Sequence, residues 1–260
     1  MTYDTLTLKF DAHIATITLD RPDKRNAVTA AMIQQVLAAL DEIEASSAHI
    51  AILTGAGKAV CSGLDLDLLR AISKQSADEN LEDSRLIAKL FRRVWSFPKV
   101  TIAAVNGPAV GGGFGMATSC DFTLAVPEAR FGYPEVRIGF IPALVAVFLK
   151  RQVGEKHARD LLLSGRLIDA AQAQRYGLVH EIVPAGQLMS RAAELAASLL
   201  ENSPASMVRT KRMLCDFAAA EVDRDMELAI AENAKIRSTP EFREGLTSFL
   251  EKRPPRWSGR

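Results

Sequence analysis

Residues 3–22, YDTLTLKFDAHIATITLDRP, alternate apolar and polar side chains in two short runs around a turn at 11–13, a period of two that predicts paired strands ended by Pro22. The period then changes. In TAAMIQQVLAALDEIEAS (29–46), Met32, Val36, Leu40 and Ile43 recur every three or four positions behind Thr29, which predicts an amphipathic helix with a threonine cap. HIAILTGAG (49–57) is a continuous apolar run closed by glycines, the mark of a strand covered on both faces. A polar stretch at 73–85, SKQSADENLEDSR, leads into the helical LIAKLFRRVWSFP, and the strands VTIAAVNG (100–107) and CDFTLAVP (120–127) follow on either side of a glycine-rich turn. This alternation implies right-handed crossovers and a mostly parallel sheet. Beyond HARDLLLSGRLIDAAQAQRYG (157–177) the pattern is helical, and the Ala-rich tail from about residue 190 carries apolar stripes that must cover the sheet domain or another subunit.

The glycine-rich turn, TIAAVNGPAVGGGFGMATSCD (101–121), places five glycines within nine positions, 107 to 115. As a dinucleotide fingerprint it fails, because the sixth position is Thr118 counted from Gly113 and Met116 counted from Gly111. No Gly-Lys-Ser/Thr closes it as a phosphate loop. A glycine at a helix start has another use: it bares a backbone N–H that has no internal partner, and two such groups aimed at one point stabilise charge developing on a carbonyl oxygen. AVCSGLDLDLL (59–69) repeats the strand, glycine and helix-start order and supplies a second candidate donor.

Composition narrows the field. The chain has 260 residues, 48% of them hydrophobic, enough for one large core with an appendage. Thirty-two basic residues against 31 acidic ones leave a net charge of +1, which argues against nucleic acid as a partner. Cys61, Cys120 and Cys215 are too far apart for redox or metal spacing, and four histidines are scattered, so no metal is expected and the thiols are expected to be reduced. The chain shows neither a basic-then-apolar leader nor an apolar run of membrane-spanning length. A cytoplasmic protein without membrane insertion is the expectation.

Four segments, AVCSGLDL (59–66), AAVNGPAVGGG (103–113), CDFTLAVPEARFGYPEVRIGFIP (120–142) and GRLIDAAQAQRYGLVHEIVP (165–184), occur in an order that resembles the crotonase family of enoyl-CoA hydratases and isomerases. RPDKRNAVT (21–29) and FREGLTSFLEKRPP (242–255) extend the likeness over nearly the whole chain. The resemblance implies an α/β, crotonase-like spiral of ββα units. It places a core with the acyl-CoA site at residues 1–190 and a helical trimerisation region at 191–260, giving a homotrimer or a dimer of trimers. It also implies a coenzyme A thioester as substrate, with no separate cofactor. The two N–H donors for an enolate would be Leu64 and Gly112, framed by Ser62, Asp65 and Leu66. Asp65 itself is expected to cap the helix or fix the donor turn. Lys24, Arg25 and Ala27 match the region that meets the nucleotide end of coenzyme A in relatives. Phe249 and Lys252 match a pair that a neighbouring subunit contributes there.

Hydratases of this family carry two glutamates, and only one has a counterpart. Glu135 matches the second, and burial beside an acyl chain would raise its pKa toward neutrality. Gly115 stands at the first. Ala143 also replaces the glycine that usually follows the proline of GFIP. Three readings stay open: a hydratase, a Δ3,Δ2-enoyl-CoA isomerase in which one glutamate moves the α-proton to the γ-carbon, and a non-catalytic acyl-CoA binder. Asp78, Glu79, Glu82 and Asp83 are expected to lie on a solvated, mobile loop, entry of one of them into the site being the alternative.

Overall fold

The computed structural model describes residues 2–257, so the outermost ends of the two expected spans, residue 1 and residues 258–260, lie outside the described residues. Strands β1 (Leu6–Asp11) and β2 (Ile14–Leu19) form the expected hairpin, and helix α1 (Ala30–Ala45) begins with the Thr29 side chain accepting the Met32 N–H at 3.1 Å. Strand β3 (Ile50–Gly55) is buried at every position. Helices α2 (Leu66–Ile72) and α3 (Ala77–Trp95) lead to β4 (Val100–Val105), also fully buried, then to β5 (Ala109–Val110) and α4 (Gly112–Ser119). After β6 (Phe122–Ala125) and β7 (Arg130–Gly132), a 3-10 turn at Pro134–Ile138 precedes α5 (Ala143–Ser164), which is kinked at Gly154. Strand β8 (Ile168–Asp169), α6 (Ala170–Arg175) and β9 (Glu181–Ile182) follow, and the chain ends in α7 (Leu188–Leu200), α8 (Pro204–Ile236) and α9 (Pro240–Leu250).

The main sheet runs β1-β2-β3-β4-β6-β9, antiparallel only between β1 and β2 and parallel across the rest. The second sheet, β5-β7-β8, is short. A parallel sheet with both faces covered needs apolar residues at every strand position, which is why β3 and β4 show no alternation. The tail helices share the same core: Leu188, Ala192 and Ala196 of α7 and Val222, Met226 and Ile230 of α8 pack into one cluster with the strands. Lys211 of α8 also donates to Asp121 at 2.6 Å and to the Lys99 carbonyl at 2.9 Å, tying that helix to the ends of β4 and β6.

The polar stretch 73–85 is a loop only as far as Ser76. A capping box joins Ser76 and Glu79, and α3 begins at Ala77, so Asp78, Glu79, Glu82 and Asp83 occupy its first two turns. The reason lies far along the chain. Asn80 and Ser84 are buried against α8, and Asp83 accepts a 2.6 Å hydrogen bond from Arg237, whose side chain is 0% exposed. Asp83 is therefore engaged with α8 and is not among the residues that line the site.

Candidate active site

The first donor turn is positioned by a single parallel bridge. Val28 accepts the Asp65 N–H on its carbonyl at 2.9 Å and donates its own N–H to the Gly63 carbonyl at 2.8 Å. That pattern uses the neighbours of Leu64 and leaves the Leu64 N–H turned away from the bridge, without an acceptor among the described residues. Asp65 then starts α2 by accepting the Asp67 N–H at 2.9 Å. Burial works to raise the Asp65 carboxyl, but the bonds from Asp67 N–H and Arg21 outweigh it and hold the group below the usual range. The expected capping role of Asp65 is thus what the geometry contains.

Residues 21–27 brace this turn from outside. Arg21 donates to the Ala27 carbonyl at 2.6 Å and to Asp65 at 3.1 Å, and Ser62 N–H donates to the Arg25 carbonyl at 3.1 Å. The buried Asn26 side chain accepts from Arg21 N–H and donates to the Ala56 and Ala59 carbonyls. Arg25 and Asn26 both adopt positive φ, 48° and 54°, so these bonds hold a strained turn in place. Lys24 and Arg25 are exposed and Ala27 is buried. Sequence reading named those three and missed Arg21 and Asn26, the two residues that hold the turn.

The second donor turn comes from the small sheet. Val110 N–H donates to the Cys61 carbonyl and Gly111 N–H to the Gly132 carbonyl, which aligns the start of α4 beside the first turn. Gly111 has φ 55°, and a Cβ there would stand 2.9 Å from Glu135 Oε1, so a glycine is required for the carboxylate to lie against this backbone. Gly112 N–H has no acceptor among the described residues. Cys61 is no rival nucleophile, since burial pushes its thiol up to about 12.

Glu135 arrives on the 3-10 turn that follows β7. Phe131 and Tyr133 pack on Phe114 of α4, ring centres 4.9 Å apart in both pairs, and fix the segment two residues before the carboxylate. Glu135 Oε2 is buried without a hydrogen-bond partner among the described residues. Desolvation raises its pKa from 4.5 to about 7.

Two connected spaces meet at these groups. The outer one, about 450 Å³, is lined by Ser62, Leu64, Leu66, Gly112, Glu135 and Phe249, with Arg137 and Arg253 among its cations. The inner, smaller one, about 40 Å³, shares Leu64, Gly112 and Glu135 and is also lined by Ile87, Phe91, Leu144, Val145 and Asn233. Phe249 lines the outer cavity of its own chain, whereas Lys252 does not line it. Helix α9 packs on its own chain, where the tilted rings of Phe242 and Phe140 lie 5.1 Å apart within a small core of Leu69, Ile72 and Leu246. Arg137 and Arg253 escaped sequence reading, having no local signal. Arg253 is engaged by Glu244 at 2.7 and 3.0 Å.

Gly115 faces a filled space. A Cβ there would meet Val145 Cγ1 at 2.5 Å and Phe91 Cε1 at 3.0 Å, so this position has no room for a carboxylate without repacking. The cavity therefore contains one glutamate. The polar groups of its inner part include that carboxyl, two free N–H donors and the amide of Asn233, a set suited to moving one proton beside a stabilised oxyanion. Among the described residues no group of His, Cys, Asp and Glu is arranged to hold a metal ion, and no helix is long and apolar enough to cross a membrane.

A family model described as enoyl-CoA hydratase/isomerase matches residues 9–260. A Thermus thermophilus protein provisionally named an enoyl-CoA hydratase is 44% identical over 246 residues, spanning 94% of this chain and 97% of its own length. A mevalonyl-coenzyme A hydratase of Aspergillus fumigatus is 37% identical, covering 94% of this chain and 91% of that protein. Among solved structures, an enoyl-CoA hydratase/isomerase from Xanthobacter autotrophicus superposes with a TM-score of 0.89 at 30% identity, over 96% of this chain and 97% of the other.

Proposed function

The chain belongs to the enoyl-CoA hydratase/isomerase (crotonase) family, and from that premise we propose that it hydrates short 2-enoyl-CoA thioesters, with Glu135 as the proton carrier and the Leu64 and Gly112 N–H groups as the oxyanion donors. The observation that carries this reading is the carboxyl of Glu135, buried and unpartnered where the two spaces meet and beside both free donors. The thioester oxygen sits between the two N–H groups. Water adds to the β-carbon, the π pair moves through the α-carbon onto that oxygen, and the proton released by water passes to the Glu135 carboxylate. The enolate then collapses, and Glu135 returns a proton to the α-carbon. One carboxyl with a pKa of about 7 serves as base and then as acid, because both forms are accessible near neutral pH.

The inner space of about 40 Å³ favours short acyl chains. Arg137 and Arg253 at the outer cavity, together with the exposed Lys24 and Arg25, supply positive charge for the phosphates of coenzyme A, and Phe249 supplies an apolar face. The exposed Met213, Leu214, Phe217 and Leu228 of α8 support assembly into a trimer or a dimer of trimers.

A second reading rests on Gly115. With Phe91 and Val145 in place of a second glutamate, a single-glutamate Δ3,Δ2-isomerase uses every group present and needs no water. Separate incubation with crotonyl-CoA and a 3-enoyl-CoA distinguishes the two. Loss of the conjugated double bond in the first supports hydration, and its appearance in the second, with crotonyl-CoA unchanged, overturns hydration in favour of isomerisation.

A further inference from the structure

The inner wall of the cavity carries one polar side chain whose donor is unused. Asn233, on α8, is 4% exposed and lines the inner space. Its Oδ1 accepts from Arg237 Nη2 at 2.9 Å and lies 3.0 Å from Ser84 Oγ. A guanidinium has only donors, so the oxygen of the amide must face Arg237 and the amide cannot be flipped. Nδ2, with two N–H groups, has no acceptor among the described residues.

Arg237 is itself locked. It donates to Asp83 at 2.6 Å and is fully buried, so the orientation of Asn233 is held by a charge pair that spans α3 and α8. The rest of the inner wall is apolar: Ile87, Phe91, Leu144 and Val145. A water needs roughly 10–15 Å³ of such space and two or more polar partners. The inner space exceeds that volume and has an acceptor in the Glu135 carboxylate and, besides the Leu64 and Gly112 N–H groups proposed to face the thioester oxygen, a side-chain donor in Asn233.

We infer that Asn233 Nδ2 binds the water that adds to the β-carbon, doing with a neutral donor what a second carboxylate at position 115 has no room to do. The inference rests on the hydratase reading. Water held between Asn233 and Glu135 donates its hydrogen to the carboxylate and accepts from the amide, which leaves a lone pair for the β-carbon. As oxygen bonds to carbon, the O–H pair remains on oxygen, the proton moves to Glu135, and the displaced π pair is held at the thioester oxygen until the α-carbon is protonated.

The test separates water from the other steps. Exchange of the α-hydrogens of butyryl-CoA with deuterated solvent uses Glu135 and the oxyanion donors but no added water at the β-carbon. In Asn233→Leu, and in Asn233→Ala should the leucine fail to pack beside Arg237, hydration of crotonyl-CoA should fall about 10²-fold, the size expected for a misplaced reactant, while α-exchange and thioester affinity stay at the wild-type level. Equal loss of hydration and exchange would mean that Asn233 only supports the fold. Undiminished hydration in both folded variants would likewise overturn the inference and leave the hydratase reading standing. Failure of the wild-type enzyme to hydrate crotonyl-CoA would remove both.

Discussion

The part of the wall that carries Leu64, Gly112 and Glu135 is made of turns at the edges of two sheets, whereas the part that carries Phe91, Val145 and Asn233 is made of side chains from three helices. The first is held by strand pairing: Val28 against Leu64, Cys61 against Ala109, Val110 against Gly132. Its donors belong to the backbone, so side-chain identity at position 64 has little electrostatic consequence. The second wall is set by side-chain volume and by a buried ion pair, and each residue there changes what the cavity can contain. The free backbone donors and the side chains that shape the space thus come from structurally different parts of one cavity lining.

The strongest way to break that division is at Glu135. Glu135→Gln keeps the shape and removes the base, so turnover should fall about 10²–10⁴-fold while titration calorimetry gives unchanged thioester affinity. Full activity in this variant would put the proton carrier elsewhere. On the helical side the largest effect is on stability. Asp83→Ala leaves the guanidinium of Arg237 buried without its charged partner, a loss of about 3–5 kcal/mol by urea unfolding. A smaller change would mean that Asn80 and Asn233 suffice to satisfy Arg237.

Glu135 also couples stability to pH. Its carboxyl titrates at about 7 when folded against 4.5 when exposed, so the folded state binds the proton more tightly. The wild type should therefore lose stability as pH rises from 4.5 through 7, and Glu135→Gln should not, the gap reaching about 3 kcal/mol above pH 8. Over the same range kcat/KM for hydration should rise and level off above pH 7, because the carboxylate is the starting base. Parallel pH profiles for the two unfolding curves would contradict the buried, unpartnered carboxyl.

Gly115→Ala sharpens the account of the filled space. Contact with Val145 should destabilise the protein by about 1–3 kcal/mol in thermal or urea unfolding, and Val145→Ala should relieve it. Least affected of all should be Leu64→Ala, which retains the N–H. A kcat near that of the wild type is expected, and a large fall would assign the leucine side chain a role that the backbone account does not include.

Reading by local pattern succeeded on the backbone wall. Strand periods, the Thr29 cap, Asp65 at the start of α2 and the two glycine-flanked helix starts are all decided within a few residues of themselves, where dihedral preference and capping act. Glu135 was named through the family resemblance of its segment rather than by any local preference, and the structure places it directly after the aromatic residues of β7, in a cavity lining. The expectation for 73–85 failed in conformation, since α3 begins at Ala77 behind the Ser76–Glu79 capping box; Asp78, Glu79 and Glu82 are exposed as expected, and only Asp83 is taken up by Arg237.

The sequence by itself determined the family, the order of elements, the two glycine-flanked helix starts and the presence of Glu135 without a carboxylate at position 115. Only the tertiary structure decided that Phe91 and Val145 occupy the space beside Gly115, that Phe249 lines its own chain's cavity, and that Asn233 and Glu135 line one space. The physical reason is separation along the chain. Ser84 and Asn233 stand 149 residues apart and Asp83 and Arg237 154, so their hydrogen bonds exist only once the sheet has formed and α3, α5 and α8 have packed on it, and no local preference at either end announces them.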